Sequence, residues 1–175
     1  YLILNEFTTN YDAGSYSTYI YRDVSGKLKM CVWDFNNACD NYQEQSTMQV
    51  QHFEVHRKLW FNMMIKDEYF TEKVIRRYRA LRESWLNEEF LMRYIDEVEE
   101  YLGPAIERNF ERWEDSLWDD TLLAPAERNV HSHQEAVWQL KDFIRQRGRW
   151  MDENIESLRQ YSAESRVKKY SEATD

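Results

Sequence analysis

The sequence predicts an α+β fold, mainly α, in which a β-hairpin flanked by two polar loops packs on a helical bundle. Three observations carry this. Before residue 50, two runs rich in β-branched and aromatic residues, TYIYR and LKMCVW, flank the turn Asp23-Val24-Ser25-Gly26, a hairpin signal. After residue 50, apolar residues recur at three- and four-residue spacing, the period of helices that bury one face. Only four Gly and two Pro stand among 175 residues, too few for a turn-rich sandwich or barrel.

Each element follows in order. Residues 1–8 read as the last turns of a helix, with Leu2, Ile3 and Phe7 on neighbouring positions of one face. Residues 10–15 form a polar loop, 18–22 a strand, 28–33 a half-buried strand, and 34–46 a second polar loop. Residues 50–66 read as a helix with Phe53, Leu59, Trp60, Met63 and Met64 on its apolar face. Residues 69–85 carry Phe70, Val74, Tyr78 and Leu81 at helical spacing, with Arg76, Arg77, Arg79 and Arg82 between them. Asn87 caps a long helix striped by Leu91, Tyr94, Ile95, Val98, Leu102, Ile106, Phe110 and Trp113, which Gly103-Pro104 kinks or splits. Residues 114–130 are acidic, aromatic and irregular. Ser132 and Glu135 form a capping box that opens the last helix, striped by Val137, Leu140, Ile144, Met151, Ile155 and Leu158. Residues 1–161 are expected as one domain, with 1–49 holding the loops and hairpin and 50–161 the bundle. Residues 162–175 are expected to fray as a polar tail.

Composition narrows the function. With 32 acidic against 23 basic side chains, a net charge of -9 and a pI near 5.0, a nucleic-acid footprint or a polybasic membrane contact is not expected. An apolar fraction of 42% excludes general disorder. No run approaches the ~18 apolar residues of a membrane-spanning helix, and no signal-peptide pattern is present. The start at Tyr1, inside the apolar run Tyr1-Leu2-Ile3-Leu4, predicts a piece of a longer chain. Cys31 and Cys39 make neither a disulfide framework nor a zinc site; free thiols are expected, with a single bridge the alternative in an oxidising compartment.

Asp12 and Asp34 hold the chemistry. One precedes the first strand and the other follows the second, so an antiparallel hairpin brings their loops side by side. Paired carboxylates suit magnesium-dependent phosphoryl transfer, one orienting a hydroxyl and accepting its proton, the other holding the metal. Ordinary turn chemistry would also place Asp at both positions. Protein kinases share this layout: a catalytic-loop Asp, a hairpin, then a metal-binding Asp followed by Phe.

Asn10-Tyr11-Asp12, Ser17 to Tyr21, Gly26-Lys27-Leu28 and Val32-Trp33-Asp34-Phe35-Asn36 together resemble the core signature of the spore-coat kinase (CotH) family. The likeness extends through residues 67–70, the Arg-rich helix ending near Arg82 and residues 147–151, to about residue 161. It implies the C-terminal portion of an atypical protein-kinase-like domain that transfers phosphate from ATP to protein serine, with Mg²⁺ and ATP as cofactors of the full-length parent. By position, Asp12 would be the catalytic-loop aspartate, Asp34 the metal ligand, and Asn10, Ser17 and Asn36 cofactor-binding neighbours, with Asn37 in support. Ser17 replaces a metal-binding Asn, and Asn36 a second acid found in many members; Asp40 is a candidate for partial compensation. A Gly-rich phosphate loop and a strand Lys paired with a helix Glu are not in this sequence, so the fragment alone is expected to be inactive. The alternative is a non-catalytic, pseudokinase-like surface or spore-coat interaction module. The resemblance also implies protein substrates or coat and envelope proteins as partners, and a spore-coat, cell-envelope or secreted location.

The remaining signals have plainer readings. His52 and His56 have a metal-ligand spacing on a helix but no convincing third ligand. His131 and His133 flank the capping serine. Trp60, Tyr94, Trp113 and Trp150 read as core, Trp118 as a docking residue or a plug, and the arginine cluster as paired with Glu72, Glu83 and Glu88.

Overall fold

The computed structural model describes residues 1–42 and 50–167, with Asp115 lacking a described side chain. Residues 43–46 of the second polar loop and 168–175 of the tail therefore lie outside the described residues. The fold is mainly helical with one antiparallel hairpin, as the sequence predicts. Helix α1 spans Leu2–Phe7, followed by strands β1 (Tyr19–Arg22) and β2 (Leu28–Cys31), paired from Tyr19 with Cys31 to Arg22 with Leu28. Gly26 adopts φ +78 in the turn, where Asp23 Oδ1 accepts bonds from Ser25 Oγ (2.5 Å) and Lys27 N (3.1 Å). A 3₁₀ turn at Val55–Arg57 leads to α2 (Leu59–Met64), α3 (Glu68–Arg82), α4 (Glu88–Leu102) and α5 (Pro104–Leu117). A 3₁₀ turn at Ala126–Arg128, helix α6 (His133–Asn154) and a 3₁₀ segment at Ile155–Tyr161 complete it.

Local chemistry sets the helix starts. Asp67, Asn87 and Ser132 each accept a bond from the backbone N–H three residues on, at 3.3, 3.1 and 3.1 Å. Glu135 reaches back to His131 N (2.8 Å), completing the capping box one residue earlier than its usual target. Gly103, at φ +45, ends α4, and Pro104 opens α5, so the pair splits the long helix.

The core gathers α1, α2, α3 and the end of α6 with its 3₁₀ extension. Phe7, Val55, Phe61, Ile65, Ile75, Tyr78, Met151 and Ile155 are all buried there. Among the described residues, no helix is long and apolar enough to cross a membrane.

Four expectations change. Residues 50–66 are not one helix: Phe53 is buried, but Leu59, Trp60, Met63 and Met64 are exposed, and Phe61 and Ile65 point inward instead. The cause is tertiary, because Glu6 takes the N–H groups of Glu54 (3.0 Å) and His56 (2.7 Å) that a helix would need. Lys58 is then extended before α2 restarts in a new register. The second strand is covered only at one end: Leu28, Lys29, Val32 and Trp33 are exposed, whereas Met30 and Cys31 are partly buried and Met30 packs against the core; all of β1 is exposed. Tyr94 and Trp113 are half-exposed because α4 and α5 form an outer layer resting on α6; Trp150 does pack on Phe53, at 4.8 Å between rings. Finally, the tail does not fray at once: Ala163 pairs with the Asp67 strand-like segment, and Ser165 Oγ donates to Asp67 Oδ2 (2.7 Å).

The arginines pair across helices more than along them. Arg82 forks onto Asp152 (2.8 and 2.9 Å) and Arg79 meets Glu156 (3.4 Å), while Glu72 goes to Arg159 and Glu88 to Arg145 and Arg149. Trp118 stacks on Phe110 at 4.9 Å, a plug over α5.

Candidate active site at the hairpin base

The first loop is folded by its own backbone. Asn10 N donates to Asn5 O (2.9 Å), Ala13 N to Asn10 O (3.1 Å), and Tyr16 N to Asp12 O (3.0 Å). Gly14 sits at φ +83, and a Cβ there would lie 3.3 Å from the Lys58 stem and the Phe61 ring. Glycine thus lets the loop lie directly on α2.

The second loop begins at Asp34, whose φ of +57 is a left-handed conformation that short polar side chains tolerate. The loops are tied to each other reciprocally. Asn37, from the second, donates Nδ2 to Asp12 Oδ2 (2.9 Å), and Ser17, from the first, donates Oγ to Asp34 Oδ2 (2.9 Å). Beneath them the wholly buried Asn10 donates to Asn5 Oδ1 (3.1 Å) and to the carbonyl of Asp34 (3.3 Å). Asn36 is exposed, its amide on Asn37 Oδ1 (3.2 Å) and its carbonyl accepting from Asn41 (2.7 Å). Asp12, Ser17, Asp34 and Asn36 therefore lie on adjoining loops with Asn10 buried beneath them, though Asn36 reaches Asn37 rather than Asp34.

Asp40 is not part of these ties. Its carboxylate accepts from Arg128 Nη2 (2.9 Å), and burial raises its pKa although Arg128 pulls it down. Cys31 and Cys39 are free thiols, with burial and the nearby Asp40 charge pushing Cys39 up to about 12.

Sequence reasoning missed the support below the loops. The Lys58 ammonium donates to the Tyr11 carbonyl, lies 4.2 Å from the centre of the Tyr11 ring, and sits 3.7 Å from Glu54. Burial lowers its pKa, while the charges of Glu54, Glu6 and Asp12 act to raise it. Arg147 is fully buried. It donates Nη2 to Glu6 O (2.7 Å), Nε to the same oxygen (3.1 Å), and Nη1 to His52 O (2.7 Å) and to Val50 O. Burial lowers its pKa to about 10, with Glu6 opposing, so it stays charged at neutral pH. Burial would raise Glu6, but His56, Arg147 and the two backbone N–H bonds outweigh it and hold the carboxyl low. A signal for Arg147 was available: it stands three residues after Ile144 and four before Met151, on the apolar stripe itself.

His52 and His56 do not share a helical face. His56 is buried with Nδ1 3.5 Å from Glu6, and His52 lies before the 3₁₀ turn, 3.5 Å from Glu54. Among the described residues no three His, Cys, Asp or Glu side chains converge on a metal position. A cation at the loops would meet at most two carboxylates plus hydroxyl and amide oxygens. That donor set suits Mg²⁺, which binds hard oxygens and keeps several positions for water and phosphate.

The two loops are laced together at the base of a hairpin and seated on a helical bundle. The chain belongs to the CotH kinase protein family, whose family model matches residues 1–151. No match was found among curated proteins or among solved structures.

Proposed function

We propose that residues 1–161 are the acceptor-side portion of a protein serine kinase, and that the full-length protein transfers phosphate from Mg²⁺·ATP to protein serine at Asp12 and Asp34. The observation that supports this best is the reciprocal lacing: Asn37 holds Asp12 and Ser17 holds Asp34, so neither carboxylate is a lone turn residue.

In this reading Asn37 fixes Asp12 Oδ2 and leaves the other oxygen to orient the serine hydroxyl and take its proton as the oxygen bonds to the γ-phosphorus. The bond to the β-phosphate oxygen breaks, and ADP leaves. Asp34 would hold Mg²⁺, with Ser17 and Asn36 beside it, and the ion would supply neutralisation of charge on the phosphate oxygens. Asn10 keeps the two loops in register from below. A spore-coat, envelope or secreted site of action, with proteins of those layers as substrates, belongs to the same proposal.

Incubating the full-length protein with labelled ATP, Mg²⁺ and a protein acceptor tests it. Asp34→Ala and Asp12→Ala should each lower transfer by at least about a hundredfold, the scale of a lost general base or charge-stabilising group. Transfer that survives Asp34→Ala overturns the reading. One observation favours a non-catalytic relative instead: the hydroxyl of Ser17 already occupies Asp34 Oδ2, and Asn36 supplies an amide where a second acid would strengthen metal binding. Calorimetry with ATP and Mg²⁺ separates the two, because metal-dependent micromolar binding counts against the second.

A further inference from the structure

A cavity of about 470 Å³ opens between the loop after Asp34 and the segment that joins α5 to α6. Asn37 forms part of its wall while its amide holds Asp12, so the cavity and the Asp12 carboxylate share a residue. Leu117, Leu122, Leu123, Leu140 and Gln139 also line it. Leu122 is 50% and Leu117 38% exposed, apolar surface left open to water in a concave setting.

The wall is built in advance. Asn129 donates to the carbonyls of Asp120, Leu123 and Ala126 at 2.9, 3.0 and 2.9 Å, and accepts from Leu123 N at 2.9 Å. Arg128, buried in the lining, ties that segment to the Asp34 loop through Asp40 O (2.6 Å), Asp40 Oδ1 (2.9 Å) and Tyr42 O (3.0 Å). Its Nε finds no acceptor among the described residues. A preformed pocket loses little ordering entropy when filled.

The lining also decides the class of guest. Among the described residues Arg128 is the one cation in the lining, and the Asp40 carboxylate balances its charge. Its Nη groups are taken by Asp40 and carbonyls, which leaves only the buried Nε without an acceptor and no net charge to draw a phosphate. A neutral apolar group fits four leucines, and the amide side chains of Asn36, Asn41 and Gln139 in the lining suit a polypeptide backbone. We propose that this cavity receives an apolar side chain of the acceptor polypeptide, placing the neighbouring serine at Asp12. The proposal rests on the kinase reading above and adds to it a substrate-selecting pocket.

Two arms test it on the full-length protein. In the first, peptides with a central serine carry Leu, Phe, Asp or Lys at one flanking position at a time, with Mg²⁺ and ATP. One position within about three residues of the serine, each spanning roughly 3.3–3.6 Å, should favour Leu or Phe over Asp by about tenfold or more in KM. Leu122→Asp and Ala136→Trp, the first altering an exposed side chain and the second filling the cavity, should each erase that preference and leave KM for ATP unchanged. Equal use of all peptides, or a preference that survives both variants, overturns the pocket. In the second arm, p-benzoylphenylalanine at the favoured position of a serine-centred peptide is photocrosslinked with no nucleotide; absent a favoured position, each flanking position is scanned. Adducts should map to residues 36–41 or 117–140 and vanish in Leu122→Asp. If no peptide or protein is phosphorylated yet these adducts form, the pocket stands as a peptide site and the kinase reading falls. If adducts form elsewhere or not at all, the pocket falls whatever the transfer assay shows.

Discussion

Lys58 carries more of the Asp12 loop than its place in the sequence announces. Its ammonium holds the carbonyl of Tyr11, one residue from Asp12, and its stem is the surface on which Gly14 rests. Lys58→Met keeps the stem and removes the donor, leaving a buried carbonyl and Glu54 short of a partner. The variant should lose about 1–3 kcal/mol of stability, the cost of a broken bond to a charged group, read from urea unfolding. On the proposed reading, transfer should fall in kcat while KM for ATP holds, because the loop and not the nucleotide contact is disturbed. The closeness of the Asp12 and Asp34 loops was legible because a hairpin converts chain order into neighbourhood: residues just before its first strand must meet those just after its second. Lys58 had no such rule behind it. Its reach to Tyr11 depends on a chain path that Glu6 imposes from another element.

Helices show the same division between local and distant causes. The Asp67 cap of α3 emerged only from the structure, whereas two helix starts were readable from the capping residues Asn87 and Ser132, and the Gly103-Pro104 break from backbone stereochemistry alone. The interrupted segment before α3 was not, since the carboxylate that unwinds it lies some fifty residues away. Exposure of the α4–α5 stripe was likewise beyond a periodicity argument, which finds an apolar face but not what covers it. Gly148 gives a test at this scale. In mid-helix, Ala normally gains about 1 kcal/mol over Gly. Here a Cβ would stand 3.0 Å from Arg82 Nη2, and that guanidinium is pinned by Asp152 and the Leu86 carbonyl. Tyr78, whose hydroxyl donates to Asp152 (2.7 Å), would lose its setting too. Gly148→Ala should therefore lower the thermal midpoint instead of raising it, and pairing it with Arg82→Ala should recover part of the loss.

Across the whole molecule, the Glu6–Arg147 clasp joins the first helix to the last, and the segment between Val50 and His56 hangs from both. Because Glu6 is held below the ordinary carboxyl range, its contribution is present above that range and lost as pH falls through the depressed value. Thermal midpoints should decline as pH drops below about 4. Glu6→Gln should be less stable at pH 7 and show a shallower decline. The slope should not vanish, because Asp152 is also held low: burial would raise it, but Arg82 and Tyr78 outweigh that. The clasp closes across 141 residues of chain. During synthesis, the residues of both acidic loops leave the ribosome long before the guanidinium that props the floor beneath them. A nascent chain shorter than Arg147 thus displays the complete motif without its foundation. Such distant closure is slow to form and exposes apolar surface while it waits. The two loops gain that support only once α6 has been translated, so the motif precedes its floor in time by more than a hundred residues of chain.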